Sequence, residues 1–121
     1  MKIFKRKHVI PLYETTIHMF VVNSMQDMQT YINKIDKDGV DVLGNDGCVF
    51  QLMESNYDWC IVLVKDKISH NLIAHETFHL TSKILNTLSV NNEEAGAWLM
   101  GHLIDYIYSL FNKNEIPIKN R

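Results

Sequence analysis

The sequence predicts an α+β protein: a small, mainly antiparallel sheet with one packed helix, followed by two helices. Three observations lead to this prediction. Short runs of β-branched and apolar residues, separated by turn residues, occupy most of the first half. Met and Ile residues at helical spacing interrupt these runs once, between positions 25 and 35. The second half contains two long stretches with helical periodicity and no proline inside them.

Residues 8–22 favour extended structure, with Pro11 confining the first part to a sheet edge or a bend. Ser24 then predicts a helix N-cap with Asp27 at the N3 position. The helix presents an apolar stripe that is typical of a core-facing surface, made by Met25, Met28, Ile32 and Ile35.

Three further strands are predicted, at 40–43, 48–53 and 59–64, with turns at 44–47 and 55–58. The run 59–64 is almost continuously apolar, which indicates a central strand or one covered on both faces. In the register set by a turn at 55–58, Cys48 faces a residue near Lys65, not Cys60. A disulfide is therefore not expected, and a reducing, cytoplasmic compartment fits best.

Length and composition favour a single domain over residues 1–111 with a polar tail at 112–121. The net charge of −2 gives no reason to expect nucleic acid or a membrane as partner. No apolar run approaches the length of a membrane span.

The chemistry of the chain is concentrated at positions 75–79, which read H-E-x-x-H. Residues four apart lie on one face of a helix, so His75 and His79 can direct two imidazoles at one point, with Glu76 beside them. Zinc accepts neutral imidazole nitrogens, and a catalytic zinc keeps one position open for water. The alternative is an ordinary amphipathic helix that carries two half-buried histidines.

Catalytic zinc takes three protein ligands, so a third is expected from the last helix. On a helical projection Glu94 lies on the same side as the small residues Ala97 and Gly101, which makes it the better ligand and Glu93 the second choice. Either carboxylate is also favoured at a helix N-terminus without any metal. Asp105 lies on the same face and is a candidate to hydrogen-bond a ligand histidine.

The Glu94 assignment makes a geometric prediction. The first of the two helices must end within about two residues of Asn86, because an unbroken helix through Ser89 carries the chain away from His79. The chain then returns irregularly through Val90. The Glu94 carboxylate is expected within about 5 Å of both imidazoles.

The pattern His75-Glu76-x-x-His79-Leu80, followed by Glu93-Glu94-x-x-Ala97-Trp98-x-x-Gly101, resembles the gluzincin branch of zinc metallopeptidases. It is similar to small metallopeptidases encoded by bacteriophages and prophages and, more distantly, to the peptidase domain of the ImmA/IrrE family. The resemblance covers residues 69–110, and the gap between His79 and Glu94 is shorter than in that family.

The resemblance implies a zincin-like fold and a hydrolase that uses one zinc ion per chain. His75, His79 and Glu94 would bind the metal, and Glu76 would be the general base. Candidates for stabilising the oxyanion are His102, Tyr106 and Tyr108. A peptide or protein would be the substrate, in the bacterial host cytoplasm if the chain is phage-encoded. The alternative is a catalytically inactive zincin-fold module that binds a partner or has a structural role.

Overall fold

The computed structural model describes residues 3–36, 39–51 and 58–119. The chain divides into two compact units, Met1–Lys67 and Ile68–Arg121. The first unit contains the sheet and the second contains the two long helices. The predicted α+β class is confirmed: a mostly antiparallel sheet with one packed helix is followed by two further helices.

The sheet has four strands: β1 (Ile3–Ile10), β2 (Thr15–Val22), β3 (Gly47–Gln51) and β4 (Asp58–Val64). Their order is β1-β2-β4-β3. The outer pairs are antiparallel, whereas the central strands β2 and β4 are parallel. A parallel pair needs a crossover connection, and the crossover here contains helix α1 (Met25–Ile35).

Helix α1 packs as its sequence predicts. The Ser24 side chain accepts a hydrogen bond from the Asp27 amide and caps the helix. Met25, Met28 and Ile32 are buried in a core cluster that also contains β2 and β4 side chains. The fourth residue of the predicted stripe, Ile35, is 40% exposed because the helix ends there.

Strand β4 is central, and its side chains on both faces are buried from Trp59 to Leu63, as the apolar run predicts. Its pairing with β3 differs from the predicted register. Cys48 lies opposite Val62, and Cys60 lies opposite Phe50. Both cysteines are free thiols, and burial raises the pKa of Cys60 to about 12. Positions 55–57 of the predicted turn lie outside the described residues.

The predicted strand at 40–43 is wrong. These residues form an irregular segment held to α1 by Gln29, whose side-chain oxygen accepts from the Val42 amide and whose amide donates to the Val40 carbonyl. Val42 is buried in the α1 cluster. A short alternating apolar pattern is also found where an irregular segment buries a single side chain, so the pattern alone does not indicate a strand.

The second unit contains α2 (His70–Thr87) and α3 (Glu93–Lys113). Ser69 caps α2 by accepting from the Leu72 amide, and Asn92 caps α3 by accepting from the Ala95 amide. Helix α3 ends at Lys113, two residues past the predicted domain boundary at 111. The following residues return to the start of α2, where the Lys119 amide donates to the Ile68 carbonyl. The described part of the predicted polar tail is therefore held against the helices by this hydrogen bond.

Helix α2 ends at Thr87, within the predicted distance of Asn86. The Val90 amide donates to the Leu85 carbonyl and the Ser89 amide to the Asn86 carbonyl, which is the Schellman pattern of helix termination. The left-handed residue is Ser89, with φ of 58°, and not Asn86. No helix within the described ranges is long and apolar enough to cross a membrane.

Candidate metal and catalytic site

The centre of the candidate site is the exposed pair His75 and His79 on the middle turns of α2. The two Nε2 atoms are 3.2 Å apart. The rings meet edge to face, with centroids 4.7 Å apart and an interplanar angle of 80°. This geometry follows from the spacing of four residues, which brings two side chains together on one face of any regular helix. The predicted convergence of the two imidazoles is present.

The pair fits two positions of a zinc site. Two nitrogens bound to a tetrahedral ion at about 2.0–2.1 Å lie about 3.3 Å from each other, close to the separation of the two Nε2 atoms. Without an ion, a contact of 3.2 Å requires that one Nε2 donates its proton to the other. Metal binding would remove that proton, because both Nε2 atoms must then present a lone pair.

Glu76 lies beside the pair but in a different environment. The residue is only 6% exposed, and its Oε2 is 3.9 Å from Nε2 of His75. Burial raises the pKa of the Glu76 carboxyl, and the nearby His75 and His79 oppose this effect by lowering it. The result is a poorly hydrated carboxyl with a raised proton affinity, adjacent to two nitrogen ligands. A general acid–base needs this combination.

A surface depression of about 480 Å³ opens beside the histidines and is lined by Asn71, Ala74, His75, Phe78 and His79. The Phe78 side chain is 59% exposed, and its ring centroid lies 6.3 Å from that of His79. The sequence analysis missed this residue. The sequence could have indicated Phe78, because it precedes His79 and a residue between two exposed histidines lies near the edge of their helix face.

The structure does not bring Glu94 together with His75 and His79, in contrast to the predicted separation of about 5 Å. Within the ranges that the structure describes, no three His, Cys, Asp or Glu side chains are grouped so that they could share an ion. The α2–α3 hairpin is antiparallel: Tyr108 contacts His70 near one end, and Gly96 lies beside Leu85 near the other. Glu94 is exposed at the Leu85 end, beyond the level of His79.

The reason is the length of α2. The helix continues for eight residues after His79, which is about 12 Å of rise. The Schellman turn then reverses the chain but does not carry it back along α2 before α3 begins at Glu93. Glu93, the second choice as ligand, is also exposed and lines a separate depression at the helix connection.

The other predicted residues of α3 have different neighbours. The Tyr108 hydroxyl is 2.6 Å from Nδ1 of His70, with the two rings stacked at 11°. His102 stacks on Trp98, also at 11°. Asp105 is exposed, and its carboxylate makes no hydrogen bond or ion pair with His75 or His79. The structure thus supports neither a hydrogen bond from Asp105 to a ligand histidine nor a position for Tyr108 at the histidine pair.

A second histidine–carboxylate pair lies in the sheet unit. His18 is buried on β2, and its Nε2 is 3.4 Å from Oδ2 of Asp58 on β4. Nδ1 of His18 is buried and has no hydrogen-bond partner among the described residues. Local sequence patterns do not reveal this pair, because the parallel pairing that brings Asp58 beside His18 depends on the sheet topology.

Comparisons with protein-family models, with curated proteins and with solved structures produced no significant match to this chain.

Proposed function

We propose that the chain is a zinc-dependent peptidase whose catalytic centre is the turn of α2 that contains His75, Glu76 and His79. The observation that carries this proposal is the contrast within that turn. Two exposed imidazoles have the separation of zinc ligands, and the Glu76 carboxyl beside them is buried with a raised pKa. A helix with two histidines on its surface and no further function does not need a glutamate buried beside them.

His75 and His79 would hold the ion through their Nε2 atoms, in the neutral form with the proton on Nδ1. Zinc, when bound, supplies a water of lowered pKa and polarises the scissile carbonyl. The Glu76 carboxylate would accept the proton of the attacking water and deliver it to the leaving amine as the peptide bond breaks. Poor hydration of Glu76 favours this exchange, because its raised pKa lies closer to that of the groups it serves.

The proposed substrate is a peptide or an unstructured protein segment, because the histidines lie on an exposed helix surface that an extended chain can reach. The family resemblance adds a bacteriophage or prophage context. The two free thiols are compatible with the cytoplasm of a bacterial host as the working compartment.

A second function follows from one specific observation. The described residues place two nitrogen ligands together and no third His, Cys, Asp or Glu with them. A site with two protein ligands binds zinc weakly, so the chain would then be a metal-responsive or inactive binding module that uses the same helix surface.

Turnover of an unstructured protein such as β-casein, with and without zinc, separates the two proposals. The peptidase proposal predicts zinc-dependent cleavage that Glu76→Gln reduces by roughly 10²–10⁴-fold while zinc binding is retained. Equal turnover by the wild type and Glu76→Gln would contradict the role of Glu76. Zinc binding without any cleavage by the wild type would favour the binding module.

A further inference from the structure

The exposed aromatic ring of Phe78 is the feature of the histidine surface that the proposed chemistry does not use. Among the described large apolar residues, only Leu12 is more exposed than Phe78, and Leu12 lies in the turn between β1 and β2. A phenylalanine in the middle of a helix, 59% exposed, leaves apolar area in water without a folding benefit.

The position of the ring links it to the histidine pair. Phe78 and both histidines line the same depression, with the small side chain of Ala74 between them. The ring centroids of Phe78 and His79 are 6.3 Å apart. This distance is about two residues of an extended chain, which rises about 3.3 Å per residue. A peptide held at the histidines therefore places a side chain one or two positions from the reacting bond against Phe78.

We propose that Phe78 and Ala74 form an apolar subsite that selects substrates with an aromatic or large aliphatic side chain within two residues of the cleaved bond. This inference rests on the proposed peptidase function and specifies its substrate class. The ring face offers apolar contact area, and aromatic partners gain further from edge-to-face packing. Among the described residues, those that line the depression include no carboxylate or ammonium group to hold a charged side chain, since the polar lining is Asn71 and the two imidazoles.

The selection acts through the free energy of substrate binding and not through proton transfer, because the Phe78 ring has no acid or base group. Apolar pockets of this kind discriminate between side chains by about 10–200-fold. Removal of the ring should therefore reduce kcat/KM for apolar peptides toward the value for polar ones, mainly through KM. The reduction should be smaller for a peptide with serine at the variable position, because serine offers less apolar area to the ring.

The test uses internally quenched fluorescent peptides that share a background of glycine, serine and alanine. The peptides differ at one position, which is phenylalanine, leucine, serine or aspartate. The zinc-loaded wild type should cleave the phenylalanine and leucine peptides at least about tenfold faster than the others. Phe78→Ala should abolish that preference, and Phe78→Leu should retain most of it. Trp98→Ala is the matched control, since Trp98 is an exposed aromatic residue outside this depression.

A binding measurement separates failure of this inference from failure of the proposed function. Fluorescence anisotropy with the labelled phenylalanine peptide, on Glu76→Gln protein with and without zinc, reports the subsite without turnover. Weaker binding in Glu76→Gln combined with Phe78→Ala supports the subsite even if the wild type cleaves nothing. Identical peptide preference, or identical binding, with and without the Phe78 ring would overturn it, whether or not hydrolysis occurs.

Discussion

Glu76 and Glu94, the two carboxylates that the sequence associates with zinc, lie in opposite environments. Glu76 is buried in the middle of α2, one residue from His75, and its pKa is raised. Glu94 is exposed in the first turn of α3. The position of Glu76 is set by helical periodicity alone. That of Glu94 depends on where α2 ends and how the chain turns, so the same sequence motif specifies one carboxylate well and the other poorly.

The largest expected effect concerns the ligands on α2. His75→Ala or His79→Ala should weaken zinc binding by roughly 100-fold or more, because the remaining imidazole cannot chelate the ion alone. His70→Ala is the matched control, since His70 is an exposed histidine of the same helix that contacts Tyr108 and not the pair. Competition with a chromophoric chelator measures the affinity. Loss of zinc in His70→Ala alone would place the ion elsewhere.

A smaller effect is expected on the stability of the metal-free protein. The folded state raises the pKa of Glu76, so the folded protein binds this proton more tightly than the unfolded chain does. Stability from this group is full below the unfolded pKa of about 4.3 and falls as pH rises through the folded pKa. Glu76→Gln should therefore stabilise the metal-free protein at pH 7 by on the order of 1 kcal/mol.

Glu94→Gln should have the opposite effect to Glu76→Gln, because it removes an exposed charge that interacts favourably with the N-terminus of α3. It should lower stability slightly, by less than about 1 kcal/mol. Urea unfolding at pH 7 and pH 4 measures both variants. A stabilising Glu94→Gln, or a Glu76→Gln advantage that grows toward acid pH, would contradict the assigned environments.

The smallest effect concerns the turn that separates the two carboxylates. Ser89 adopts the left-handed conformation at the Schellman position, where glycine has no steric cost. Ser89→Gly should raise the free energy of unfolding by about 0.5–1 kcal/mol. Ser82→Gly, at an exposed position inside α2, should lower it by about 0.5 kcal/mol. Thermal unfolding of both variants tests whether α2 ends at this turn in solution.

Local patterns account for the parts of the fold that the sequence predicts. Ser24 caps the helix that it precedes, and the apolar run from Trp59 forms a strand buried on both faces. The end of α2 is predicted within one residue, although the left-handed residue is Ser89 and not Asn86. Each of these features depends on residues close together in the chain.

The failures concern contacts between distant segments. The register that brings Cys48 opposite Val62 depends on the hairpin, and the parallel pairing of β2 with β4 depends on the crossover through α1. The contact of Tyr108 with His70 depends on how α3 packs against α2. A single sequence specifies which face of a helix is apolar, but it does not specify how far one helix slides along another.

We propose that metal binding belongs to the turn His75–His79 and does not require Glu94. Titration of the metal-free protein with cobalt(II), followed by its visible absorption, tests this directly, because the spectrum reports both affinity and coordination. Glu94→Gln should give the wild-type spectrum and an affinity within about twofold, whereas His79→Ala should lose both. A loss of affinity in Glu94→Gln equal to that in His79→Ala would show that Glu94 is a ligand and contradict the account.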